Sequence, residues 1–141
     1  MMSGLSRRTA LKGALGAAAL PAVAVIADGA VLAFGPELDR LVAEYQVALA
    51  AFNRAENAIA DAASNRGVPW DVVKDEMGFD EIDARVDERC DAMTNCLHRL
   101  ADTPAGTLEG LKFKARYAEH ADVLEGSIVD DLLRMQGLLR A

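Results

Sequence analysis

Between Leu38 and Ala63 apolar or small side chains return at steps of three and four residues: Leu38, Val42, Tyr45, Leu49, Phe52, Ile59 and Ala63, with Ala55 filling the gap at Glu56. That spacing lines one face of an α-helix and neither face of a strand, because a helix comes round every 3.6 residues and a strand every second one. The pattern lasts for about 30 residues, roughly 45 Å of helix. No single helix can bury such a stripe by itself, so the chain must supply further helices to cover it. Pro36 suits the first turn of this helix, where its missing N–H costs nothing. Asn65-Arg66-Gly67 ends it, with Gly67 placed to take the left-handed conformation just past the last turn.

Two more stripes follow. Val68 to Gly78 is irregular and is predicted to be a connector holding a short helical turn, with Trp70 packing over one end of the fold. Phe79, Ile82, Val86, Cys90, Met93, Leu97 and Leu100 mark a second long helix from about Asp80 to Leu100. Ala101 to Thr107 is a turn, and Thr103 or Thr107 can cap what comes next through its hydroxyl. Phe113, Tyr117, Ala121, Leu124, Ile128, Leu132, Met135 and Leu139 mark a third long helix from about Thr107 to Leu139. Gly110, Gly126 and Gly137 each weaken that helix by about 1 kcal/mol against alanine, and they mark either close helix contacts or a kink near Gly126. Aromatic residues make up only 5% of the chain, which agrees with helix over sheet. The predicted fold is all-α: an antiparallel bundle of three long amphipathic helices over residues 36–141, following an N-terminal signal segment.

The N-terminal segment has a separate logic. Ser6-Arg7-Arg8-Thr9-Ala10-Leu11-Lys12 precedes an apolar run from Gly13 to Ile26, broken only by Pro21. A basic region, an apolar region and a stretch of small residues make an export peptide. With Arg7, Arg8 and Lys12 in place, the stretch resembles the twin-arginine export consensus, departing from it at Ala10, where phenylalanine is usual. That resemblance implies a twin-arginine translocase as partner during export and a periplasmic or otherwise exported protein. Small residues permit cleavage after Ala24, Ala27 or Ala33. Ala27 is favoured, giving a signal over residues 1–27 that extends to 33 at most. Left uncut, the segment from Gly13 to Ala33 is close to the minimum length for a membrane span and would act as a tether. Asp28 inside that window argues against a span.

Setting the signal aside changes the charge. Arg7, Arg8 and Lys12 are three of the 15 basic residues, and all 22 acidic residues lie at or after Asp28, so the rest of the chain stands at −10. So acidic a domain repels nucleic acid and anionic membrane surfaces. Cys90 and Cys96 would meet an oxidising compartment after export. Six residues apart on one helix, they are separated by about 9 Å along its axis, too far for a disulfide between them.

Catalytic patterns are lacking. Asp80, Asp83, Asp87 and Asp91 form an acidic line on the second helix, but a straight helix cannot wrap its carboxylates around a cation, so a solvated face eased by Arg85 and Arg89 is expected. Cys96, His98 and His120 could form a soft metal site if the second and third helices are adjacent. Cys96 and His98 point about 200° apart on one helix, which opposes joint ligation. Ser64 and Ser127 sit in no nucleophile-elbow motif, and no phosphate-binding glycine loop occurs. Lys112, Lys114 and Arg116 form a small basic group in an acidic chain. They are candidate contacts to an acidic partner, and otherwise balance Glu109 and Glu119 on a solvent face.

Thr103-Pro104-Ala105-Gly106-Thr107-Leu108-Glu109-Gly110-Leu111-Lys112-Phe113-Lys114-Ala115-Arg116, together with the earlier Ala51-Phe52-Asn53 step, resembles small helical proteins of rhizobia-like alphaproteobacteria that carry a twin-arginine signal. In them a Thr-x-x-Gly-Leu-x-x-Lys-Ala-Arg segment opens the last helix. The resemblance implies the helical architecture and a bacterial origin, and it transfers no functional residues. The expectation is therefore an exported helical bundle without catalytic residues, cofactor or metal, acting through protein–protein contact or as a homo-oligomer. The competing expectation is a periplasmic bundle that binds a small ligand or a metal.

Overall fold

The computed structural model describes residues 28–140, with side chains up to Gly137. Arg7, Arg8 and Lys12 lie outside the described residues, as does the side chain of Leu139. Every regular element among the described residues is helical, so the all-α expectation holds. After a helical stretch at residues 28–32, the elements are α1 (Gly35–Arg66), α2 (Trp70–Glu76), α3 (Phe79–Asp102), α4 (Leu108–Tyr117), a 3₁₀ turn (Ala118–His120) and α5 (Val123–Arg140). They form two compact units. One is Gly35–Cys96; the other joins the chain up to Phe34 with Leu97 onward.

In the first unit α1 holds 32 residues, as its long stripe requires. Its end is built as expected. Gly67 takes a φ of +65°. Its N–H donates to the Ser64 carbonyl at 3.4 Å, and that of Val68 to Ala63 at 3.2 Å. These two bonds satisfy carbonyls that the last turn leaves open, and the left-handed backbone they need favours glycine. α2 is the short helical turn expected in the connector, and Gly78, with φ +64°, closes it.

α1 and the first part of α3 run antiparallel. Glu44 meets Arg89 at 3.2 Å, while Phe52, farther along α1, meets Phe79, farther back on α3, with ring centroids 5.1 Å apart. Near the α1–α2 connection, Ile59, Val73 and Phe79 form a buried cluster flanked by Phe52, Ala63, Val68 and Trp70. The Trp70 ring stands edge-on to Phe79 at 5.4 Å, an arrangement that sets a positive ring edge against a negative ring face.

The second unit departs from the expected third helix. That helix is not continuous: α4 stops at Tyr117, the chain turns through Ala118–His120, and α5 begins at Val123. Ala121 at the break is fully extended, with φ −160° and ψ 118°. α5 runs through Gly126 without interruption, and of the three glycines Gly110 is the one at a close contact. Thr107, not Thr103, caps α4, its hydroxyl accepting from the Gly110 N–H at 3.2 Å. Thr103 instead donates to the Arg99 carbonyl at 2.8 Å, at the end of α3. The folded part also begins before residue 36, because Asp28 and Val31 are both buried.

Arg66, at the end of α1, reaches Glu76, at the end of α2, through two hydrogen bonds of 2.6 and 3.2 Å. The guanidinium holds the Glu76 carboxyl below its ordinary value of 4.5, by the hydrogen bond first and by charge as well. A carboxyl whose folded pKa is depressed contributes stability that is present above its unfolded value and lost as pH falls through the folded one. Both groups are exposed, so the effect on stability is small. Arg66→Ala is expected to move the Glu76 midpoint up toward 4.5, read by the carboxyl carbon shift in an NMR titration. The stability difference between wild type and variant should close as pH falls below that midpoint.

Candidate functional site

The largest concentration of polar chemistry is one the basic-group expectation misplaced. Lys114 is not on a solvent face: it is fully buried. Its ammonium lies 2.6 Å from Asp131 Oδ2 and donates to Ser127 Oγ at 2.8 Å. Ser127 in turn donates to the Ala101 carbonyl at 2.7 Å, which ties α5 to the end of α3. Asp131 is itself buried and takes a second cation, Arg134, at 3.0 Å on its other oxygen. No buried side-chain nitrogen or oxygen among the described residues lacks a hydrogen-bond partner. A network satisfied in this way rigidifies its surroundings and specifies one packing.

A serine beside a lysine invites a nucleophilic reading, since an amine can activate a hydroxyl. Here the geometry opposes it. An ammonium that donates to a carboxylate has no lone pair with which to take the serine proton, and that proton already points to the Ala101 carbonyl. The cluster holds helices together. Lys112 and Arg116 remain exposed. Arg116 lies over the Phe113 ring at 5.8 Å, so part of its charge is engaged within α4.

The other sequence candidates do not converge. Cys96 is buried and His98, two residues on, is exposed. His120 sits 3.5 Å from Glu119. Among the described residues no group of three or more His, Cys, Asp or Glu is placed to hold a metal ion. Neither cysteine is in a disulfide. Asp80, Asp83, Asp87 and Asp91 are all exposed, as a solvated face requires. Asp80 pairs with a nearby cation, Lys74, at 3.0 Å, while Arg89 turns to Glu44 on α1. Asp80 raises the pKa of that lysine through its hydrogen bond first and its charge second.

Two surface features remain. In the first unit, Ala43, Val47, Ala48 and Ala51 of α1 and Arg85 and Arg89 of α3 line a groove of about 330 Å³ together with Glu44. It is open, with Val47 standing 69% exposed, whereas small-ligand sites enclose most of the ligand's surface. In the second unit, α5 shows two contrasting faces. Leu124, Ile128, Asp131 and Met135 face inward, buried or half-buried. Val129, Leu132 and Leu133 are 53%, 49% and 61% exposed. At 100° per residue these three fall within about 100° of one another, with exposed Glu125 and Gln136 continuing the same line.

Leu132 is therefore not the core residue its place in the apolar stripe suggested; Asp131 occupies the inner position instead. The available signal was Asp131 itself, seven residues after Leu124 and so almost directly above it on a helix. No protein family, curated protein or solved structure matches the chain.

The ion pair has unequal partners, and this fixes the sign of a mutational comparison. Removing one member of a buried pair costs about 3–5 kcal/mol because a charge is left buried alone. Lys114→Met leaves Asp131 with Arg134, whereas Asp131→Leu leaves Lys114 with no carboxylate. Urea unfolding should therefore place Asp131→Leu at or above the top of that range and Lys114→Met near its foot. Lys114→Met combined with Asp131→Leu should recover most of the loss, since no charge is then stranded.

Proposed function

We propose that this chain is an exported helical protein, kin to the small alphaproteobacterial proteins that its Thr103–Arg116 segment resembles, and that it works by contact with another copy of itself rather than by catalysis. In this reading the three long stretches of apolar periodicity pack as an antiparallel bundle, and the exposed face of α5 is left for the partner. The single observation that carries it is that face: Val129, Leu132 and Leu133 are large, apolar and about half exposed at the spacing of a helix–helix seam.

A second copy suits this face because a two-fold axis across the helix sets the apolar row of one copy against the same row of the other, so the surface is complementary to itself. In an antiparallel pair Leu133 of one copy falls near the partner's Val129, and the two helix dipoles oppose each other. An open groove elsewhere and a buried ion pair that cannot act as a base leave the competing small-ligand or enzymatic readings without a comparable surface.

Size-exclusion chromatography with light scattering at rising protein concentration tests the association. Wild type is expected to move from the monomer mass toward twice that mass. Leu133→Glu should weaken this about tenfold or more, while Leu108→Glu, an equally exposed position on α4, should leave it unchanged. A wild-type monomer throughout, or a Leu133→Glu protein that still dimerises, rules the proposal out. Export has its own check. Residues 1–33 fused to a reporter active only outside the cytoplasm should give signal that Arg7→Lys with Arg8→Lys abolishes.

A further inference from the structure

Three bonds are open to signal cleavage by residue size, those after Ala24, Ala27 and Ala33, and the fold distinguishes among them. Residues 28–34 are built into the second unit. Val31 is fully buried and Asp28 is 6% exposed. The Asp28 carboxylate accepts from the Gly106 N–H at 3.2 Å, just ahead of α4. A Cβ added at Gly110, in the first turn of α4, would lie 2.9 Å from that same carboxylate oxygen and 3.0 Å from Ala105. Glycine at position 110 therefore leaves the room that Asp28 fills. A carboxylate there also sits at the positive end of the α4 dipole, where negative charge is favoured. At the other end of the segment, the Arg99 guanidinium covers the Phe34 ring at 5.7 Å.

The backbone is equally committed. The Ala33 N–H donates to the Gly29 carbonyl at 3.0 Å, and that of Phe34 to Val31 at 3.3 Å. A peptidase binds its substrate as an extended strand, and the Ala33–Phe34 bond lies in a closed helical turn.

We infer that processing of the export segment stops at or before the Ala27–Asp28 bond, so that the mature chain keeps Asp28 to Phe34 as an N-terminal latch on α4. This rests on the export reading of Arg7 and Arg8. At the favoured bond, hydrolysis breaks the Ala27 carbonyl carbon–Asp28 nitrogen bond. Water supplies the hydroxyl to Ala27 and a hydrogen to the nitrogen, leaving a carboxylate on one piece and an α-ammonium on Asp28.

The experiment expresses the full chain with a C-terminal tag in a bacterium that has the twin-arginine route, and determines the N-terminus of the exported protein. A first residue of Val25 or Asp28 is the expected result. A first residue of Phe34 overturns the inference, and so does an exported protein that keeps Met1. Full-length protein held entirely inside the cell removes the export reading itself. Hydrogen exchange on the purified full chain then judges the latch separately. The Ala33 and Gly106 amides should be protected in wild type, and both Asp28→Ala and Gly110→Ala should speed Gly106 exchange about fivefold or more. Unprotected Ala33, or Gly106 exchange indifferent to both substitutions, overturns the latch whatever the fate of the signal.

Discussion

The 2.6 Å contact between Lys114 and Asp131 governs the second unit. These residues are 17 apart in sequence. On one unbroken helix they would be about 25 Å apart along the axis. Their meeting therefore requires the chain to double back between them, and it does so at Ala118–Asp122, where no glycine or proline breaks the helix. The ion pair also sets the rotation of α5. With Asp131 turned inward, Leu124, Ile128 and Met135 follow it, and Val129, Leu132 and Leu133 must face out. The exposed apolar face on which the proposed association depends is thus a consequence of a buried charge.

Burying two charges is costly, and their attraction offsets the cost only when the remaining donors and acceptors are also met. Here Ser127 takes a second lysine N–H, passes its own hydrogen to Ala101, and Arg134 meets the outer oxygen of Asp131. Such completeness favours one arrangement over nearby alternatives. A similar economy appears at the start of the unit, where Asp28 fits the space beside Gly110 and meets the Gly106 N–H. In both places a carboxylate well inside the fold fixes how α4 is approached.

The proposed function rests on what these networks leave unused. The hydroxyl, amine and carboxylates that are brought together are engaged with one another, so their chemistry is spent on the fold. The groove on α1 is open, and its Glu44 is occupied by Arg40 and Arg89. What stands uncovered on α5 is apolar and regularly spaced, and the proposed association rests on that surface. Nothing among the described helices is long and apolar enough to cross a membrane.

Local periodicity was legible where one residue type dominated a face. The all-helical character, the length of α1, the glycine end at Gly67, the short helix after Pro69, the Thr107 cap and the solvated aspartates of α3 all follow from spacing and local backbone chemistry, which neighbouring residues decide among themselves. Whether Lys114 is a surface cation or a buried one could not be read that way. A lysine in an amphipathic helix looks the same in both cases, and the difference is a carboxylate 17 residues on. The break at Ala118–Asp122 and the outward turn of Leu132 were hidden for the same reason. Reading apolar letters in sequence assigned Leu132 to the core, while the stronger demand of a buried charge for its partner placed Asp131 there. The sequence by itself determined that the fold is helical and where α1 ends; only the tertiary structure decided where the third helix breaks and which way α5 faces, because those choices belong to a pair of residues brought together by folding.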